Sequence, residues 1–144
     1  MSERFKIIGG ILCLVIHDSK ILMFKRKNKF DAGMYSVPGG CLEDNETIVA
    51  AAVRELKEEV NLIVKEEDCA VVSMLHRIAP LNWNAVELIV LVRKFSGEPK
   101  IMEAEKSENL QWFELNNLPE NISRYARKGI ENYLSGERFS EITY

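Results

Sequence analysis

The sequence predicts an α/β fold, a mixed β-sheet packed between helices. Three observations carry that expectation. Six segments, at residues 5–16, 21–27, 35–37, 69–78, 85–95 and 110–114, read as strands. Apolar residues recur at helical spacing over residues 47–60. The same spacing returns over residues 122–134.

The first strand is the apolar run Ile7 to Ile16, behind Arg4 and Lys6. It has the look of a signal-peptide core, but no small-residue cleavage site follows. Instead His17-Asp18-Ser19-Lys20 makes a turn, and Ile21-Leu22-Met23-Phe24 resumes as a second strand, which reads as a buried hairpin. Pro38-Gly39-Gly40 follows the short third strand; two glycines let the backbone turn sharply and approach a ligand closely. Thr47 can cap the first free N–H groups of the first helix. Val49, Val53, Leu56 and Val60 fall on one face of that helix, ready to dock on the sheet. Residues 85–92 alternate, with Val86, Leu88, Val90 and Val92 on one face and Glu87, Ile89 and Leu91 on the other. The second helix carries Ile122, Tyr125, Ala126, Ile130, Tyr133 and Leu134, with Gly136 as its stop. Its aromatic residues read as core.

At 144 residues and 47% hydrophobic content, the chain is expected to form one domain, residues 1–144, with a substantial core. A formal net charge of −3 argues against binding a nucleic-acid polymer, which favours a basic face. Cys13, Cys41 and Cys69 are odd in number and lack CxxC spacing, which suggests a reducing, cytoplasmic compartment. No stretch is long enough to span a membrane.

The run from Gly39 to Leu62 carries the chemistry. Glu55, Glu58 and Glu59 are spaced i, i+3 and i+4, and share the side opposite the apolar face. Like charges so placed repel by roughly 0.2–0.5 kcal/mol per pair. Glu58 and Glu59 also sit at the negative end of the helix dipole, which costs about 0.3–1 kcal/mol each. Two readings are open: a solvated charged face, or one half of a cation site. A hard divalent cation relieves both penalties by taking carboxylate oxygens as ligands. Glu46, at the loop–helix junction, can meet Arg54 across the turns, either as a frame for the site or as a plain surface ion pair.

This run resembles the Nudix box: glycine, five residues, glutamate, seven residues, then Arg-Glu-apolar-any-Glu-Glu-any-Gly-apolar. Here the positions are Gly40, Glu46 and Arg54-Glu55-Leu56-Lys57-Glu58-Glu59-Val60-Asn61-Leu62. Every defined position matches except Asn61, where the motif has glycine. That glycine ends the helix in a left-handed conformation, and Asn is the next most tolerant residue there. The resemblance implies a Nudix-type α/β/α sandwich with a mixed sheet, a box helix and a second helix near the C-terminal end. It also implies metal-dependent hydrolysis of a nucleoside diphosphate linked to another group. Carried over by position, Glu55, Glu58 and Glu59 are ligands for Mg2+, with Mn2+ as a substitute, and the Gly39 carbonyl is a further ligand. Arg54 and Glu46 orient the carboxylates, and Gly40 belongs to the substrate loop. Homodimers are common among similar enzymes, so a homodimer is one expected assembly.

Outside the box the resemblance points to a further acidic residue in Glu103-Ala104-Glu105-Lys106-Ser107-Glu108, with Glu105 favoured; plain surface charge is the other reading. Arg26, among Lys25, Lys27 and Lys29, stands where the family often binds phosphate; solvated charge is the alternative. Glu87 lies on an otherwise apolar face and needs a partner. It either reads a nucleobase N–H edge or sits near water. Trp83, in the loop preceding residues 85–92, can stack on a base. Tyr35 to Gly40, the Gly97-Glu98-Pro99 turn and the ending with Trp112-Phe113 and Leu118-Pro119 look most like nucleoside triphosphate pyrophosphatases. The ADP-ribose branch has a proline past the box, and Pro80 lies beyond its usual place. The dinucleoside-polyphosphate branch has a tyrosine there, and none occurs between Tyr35 and Tyr125. The extra motif of NADH-cleaving enzymes is absent. Hydrolysis of ADP-ribose, a nucleotide sugar or a dinucleoside polyphosphate is the alternative among enzymes. A catalytically silent nucleotide-binding module is the alternative of another class; loss of box glutamates would mark it, and none is lost.

Overall fold

A computed structural model describes residues 4–28 and 30–144. Lys29, one of the basic residues grouped around Arg26, lies outside the described residues. Eight strands and two helices follow in the order β1 (Ile8–His17), β2 (Lys20–Arg26), β3 (Tyr35–Ser36), β4 (Gly39–Cys41), α1 (Ile48–Val60), β5 (Cys69–Ala79), β6 (Trp83–Val92), β7 (Ser107–Glu114), α2 (Arg124–Ser135) and β8 (Phe139–Thr143). A single 3-10 turn, Glu66–Asp68, precedes β5.

The sheet is mixed, in the order β3-β2-β1-β6-β5-β8, with β4 paired to β1 and β7 paired to β2. The β1–β6 and β5–β8 pairs are parallel, and the others antiparallel. The β1–β2 hairpin turns on Asp18 and Ser19, both with positive φ. A two-residue turn of that hand matches the twist of the strands it joins.

Alternation along β1 divides the core. Ile11, Cys13 and Val15 point to one face, where Ala51, Ala52, Leu56 and Val60 of α1 cover them. Leu12, Leu14 and Ile16 point to the other, under Tyr125, Ala126 and Ile130 of α2. The result is a sheet between two helices, as expected.

Three local expectations change. β4 and β8 escaped the sequence reading. β4 is only three residues long, and β8 alternates between exposed and half-buried positions without a fully buried face. The glycines of β4 do not form a turn. They are strand residues whose missing side chains leave room for neighbours: a Cβ on Gly39 would run into the Ile11 carbonyl oxygen, and one on Gly40 into the Glu55 carboxylate. In α1 the buried stripe is Ala51, Ala52, Leu56 and Val60, while Val49 and Val53 are half-buried. Glu55 and Glu59 follow Ala51 at i+4 steps and are half-buried at the flank of the sheet-facing side, not opposite it.

Both ends of α1 are capped as the sequence suggests. The Thr47 hydroxyl accepts from the Ala50 N–H at 3.1 Å. Asn61 takes the left-handed conformation, with φ of 62°, and its N–H reaches the Leu56 and Lys57 carbonyls.

Candidate active site

Arg54 is the hub of the acidic helix. Its Nε donates to Glu46 Oε2 at 2.6 Å and its Nη2 to Glu46 Oε1 at 3.0 Å, a two-pronged pair. Nη1 donates to Glu55 Oε1 at 2.9 Å and to Glu58 Oε2 at 3.2 Å. Nη2 also reaches the Cys41 carbonyl at 3.2 Å, which ties the helix to β4. The hydrogen bond from Arg54 holds the Glu46 carboxyl below its usual range, and Glu46 in turn raises the Arg54 guanidinium. One cation therefore fixes three carboxylates and a backbone carbonyl.

Glu59 is placed differently. Its Oε1 accepts from the Gly39 N–H at 3.1 Å. Burial, followed by the Glu55 carboxylate beside it, pushes the Glu59 carboxyl up to about 10. Glu55 fills the space left open by Gly40. Glu58 is turned away, 56% exposed and held by Arg54. The structure thus brings two of the three box-helix glutamates together.

Glu55 and Glu59 open into a cavity of about 310 Å3 that Gly39, Gly40, Arg26, Trp83 and Glu87 also line. These residues come from three strands and a helix spread over much of the chain. Arg77 and Tyr125 line it too, and the sequence did not single them out for this role; Glu103 and Lys106 also line it, from the acidic stretch in which the sequence favoured Glu105. Arg26 donates to the Tyr125 hydroxyl and to Asn28 Oδ1, the latter at 3.3 Å. Tyr125 is a core residue, as its helical spacing suggests, but its hydroxyl end reaches the cavity; helical periodicity reports only the buried ring.

Glu87 finds its partner inside the protein. Arg77 Nε donates to its Oε1 at 3.0 Å, and both side chains are nearly buried. Burial still raises the Glu87 carboxyl, with Arg77 opposing. Gly10, opposite Glu87 in the β1–β6 ladder, leaves space that the carboxylate occupies. Trp83 is the first residue of β6 rather than a loop residue, and is part-exposed at the cavity mouth. Within the 103–108 loop, Glu103 lines the cavity and pairs with Lys106 at 3.2 Å. Glu105 is exposed and does not line it. The loop turns on Glu103, whose carbonyl accepts from the Lys106 and Ser107 N–H groups.

Facing carboxylates in a part-buried cavity make a hard-oxygen donor set that suits Mg2+, an ion commonly held by one or two carboxylates plus substrate phosphates. Among the described residues, no group of three or more His, Cys, Asp or Glu side chains is gathered for a metal ion. Glu55 and Glu59 are the box glutamates that line the cavity and could hold such an ion. Burial and the neighbouring Glu55 disfavour the ionised form of Glu59, and a bound cation would favour it.

A sheet between two helices, with a box of glutamates framed by an arginine at a cavity, defines a Nudix hydrolase. Residues 8–133 match the NUDIX domain family, and the chain belongs to it as a Nudix-type nucleotide pyrophosphatase. It is 34% identical over 121 residues to an ADP-ribose pyrophosphatase of Methanocaldococcus jannaschii, covering 84% of this chain and 69% of that one. It is 33% identical over 116 residues to an oxidized purine nucleoside triphosphate hydrolase of Danio rerio, covering 75% and 67%. Its structure is similar to that of a MutT NUDIX hydrolase from Burkholderia pseudomallei, with a TM-score of 0.82 and 29% identity over 88% of this chain and 98% of that one. Nudix hydrolases generally need a divalent metal. No helix among the described residues is long and apolar enough to cross a membrane.

Proposed function

We propose that the protein hydrolyses a nucleoside or deoxynucleoside triphosphate to the monophosphate and pyrophosphate, as a cytoplasmic housekeeping enzyme. The observation that carries the reading is the meeting of Glu55 and Glu59 with Arg26 in one cavity. The acidic pair would hold Mg2+, or Mn2+ in its place, with the Gly39 carbonyl and Glu58 as the further donors that the motif implies. When bound, the ion neutralises the phosphate chain and lowers the pKa of a water molecule. Arg26, which lines the same cavity, supplies positive charge to the phosphates. Arg54 and Glu46 keep the carboxylates in place. Glu103 is the loop carboxylate that lines the cavity, and it is the group to take a proton from the attacking water. The water oxygen bonds to phosphorus as the bridging P–O bond breaks in line, and pyrophosphate leaves.

The likeness to the Danio rerio relative supports the triphosphate reading. A second reading, cleavage of ADP-ribose to AMP and ribose 5-phosphate, is favoured by the likeness to the Methanocaldococcus jannaschii relative. A panel of NTPs, dNTPs, oxidised dGTP, ADP-ribose and diadenosine polyphosphates with Mg2+ tests both. Release of pyrophosphate rather than phosphate supports the first reading. Preferred cleavage of ADP-ribose replaces it with the second, and no Mg2+-dependent hydrolysis of any of them sinks both.

A further inference from the structure

Beside the acidic cavity lies another, of about 350 Å3, with a different character. Its walls include Trp83, Tyr144 and Phe30, with Asp31 among them. Volume and lining suit one small planar group. The cavities share a wall made by Arg26, Arg77, Trp83 and Tyr125. A molecule with an anionic end in the first can therefore place an adjoining ring in the second.

Exposed aromatic rings are costly to maintain in water, and here three gather at one cavity: Phe30, Trp83 and Tyr144. Two of the walls are preset. The Tyr144 N–H is bonded to the Ile78 carbonyl at 3.0 Å, and Arg124 lies over the Tyr144 ring at 4.8 Å. Arg77 is held by Glu87 and stacks on Tyr125 at 4.3 Å, which leaves a flat guanidinium in the shared wall. Asp31 is half-buried in a turn closed by the Met34 N–H on its carbonyl. An ionised carboxylate only accepts hydrogen bonds, so it selects a ring edge that carries N–H groups.

We propose that this second cavity is the ring-recognition pocket: a nucleobase stacks on Trp83 and Tyr144 with an N–H edge turned to Asp31. Its phosphates then reach across the shared wall to Glu55 and Glu59. The proposal rests on the reading of the substrate as a nucleotide, and it assigns base selection to Asp31 rather than to Glu87, whose carboxylate is already bonded to Arg77.

The test follows the two indole N–H signals of the 15N-labelled protein during titration without metal, so it does not depend on turnover. Trp112 packs on Phe95 away from both cavities and serves as the internal reference. Nucleoside monophosphates are expected to move the Trp83 signal and leave that of Trp112 in place. Ribose 5-phosphate, which has the sugar and phosphate without the base, is expected to move Trp83 far less than the nucleotides do and to leave Trp112 in place. Asp31→Asn should weaken binding about tenfold and change the ranking of the four bases. Tyr144→Leu should weaken all four by about tenfold without changing the ranking. The proposal is overturned if ribose 5-phosphate moves Trp83 as far as the nucleotides do, if no nucleotide moves it, or if Asp31→Asn leaves the ranking intact. Triphosphate hydrolysis with an unmoved Trp83 overturns the pocket alone. Base-dependent shifts with no hydrolysis support the pocket and overturn the triphosphate reading.

Discussion

Glu59 takes a hydrogen bond from the backbone N–H of Gly39 at 3.1 Å, across twenty residues of sequence. That bond joins the last turn of α1 to β4 and holds a carboxylate where water is scarce. It favours the ionised form, yet burial and the neighbouring Glu55 outweigh it and keep the proton on. Glu59 is thus positioned at a cost that a cation would remove.

Stability without metal should therefore fall as pH rises. Glu59 titrates near 4.5 when unperturbed and near 10 in the fold, so between those values the unfolded chain has released a proton that the folded one keeps. The contribution is fully present below the lower value and is lost as pH climbs through the upper one. Glu87 is shifted in the same direction and adds to the slope. In EDTA, the melting temperature should drop by about 5 °C or more between about pH 5 and pH 9. Mg2+ should raise it more at the alkaline end, because the metal replaces the proton. Glu59→Gln should flatten most of the pH slope and most of the Mg2+ effect. Melting curves that ignore pH in EDTA would contradict this account.

Arg54→Lys should lower kcat about tenfold or more while the protein still folds. A lysine keeps the charge but cannot reproduce the two-pronged contact to Glu46 while also reaching Glu55 and Glu58. Glu46→Gln should act through the same frame, so the double variant should be little worse than either single one. Strictly additive losses in kcat would show that the pair does not work as a unit.

The two glycines of β4 should respond differently to alanine. At Gly39 the new Cβ meets a backbone oxygen of β1, which cannot move without opening the sheet. Gly39→Ala should lower the melting temperature and the yield of folded protein. At Gly40 the obstacle is the end of the Glu55 side chain, which can swing away. Gly40→Ala should fold with a smaller loss of stability yet drop kcat about a hundredfold, because the displaced carboxylate no longer faces Glu59. Thermal melts and steady-state rates measured on both variants separate the cases. Equal loss of folding in both would refute the distinction.

What was legible in the sequence was mostly what is local. The Thr47 cap, the left-handed Asn61, the Asp18–Ser19 turn and the reach from Glu46 to Arg54 follow from spacing within a few residues or two helical turns. Arg77 and Tyr125 were not legible as cavity residues. One sits on a strand and the other on a helix, and they meet only because α2 covers the face of β5 and β6 that carries Glu87. The unpaired glutamate on an apolar face did announce that some partner must exist, and β5, the antiparallel neighbour of β6, supplied it. The same limit applies to β8, whose place beside β5 depends on how α2 returns the chain.

The 103–108 loop offers the sharpest choice between neighbouring carboxylates. Position in the sequence favoured Glu105, since both residues sit in one short acidic stretch. The fold separates them: the turn closed on the Glu103 carbonyl directs the Glu103 side chain toward the cavity and leaves Glu105 in solvent. Lys106 bridges to Glu103 and lines the same wall. Glu103→Gln should reduce kcat by about a hundredfold with little change in KM, as expected for lost general-base action. Glu105→Gln should stay within about twofold of wild type, as a solvated surface charge does. Steady-state kinetics across pH for the two variants decide the matter. A large loss in Glu105→Gln alongside a normal Glu103→Gln would mean that the loop adopts another conformation when substrate is bound.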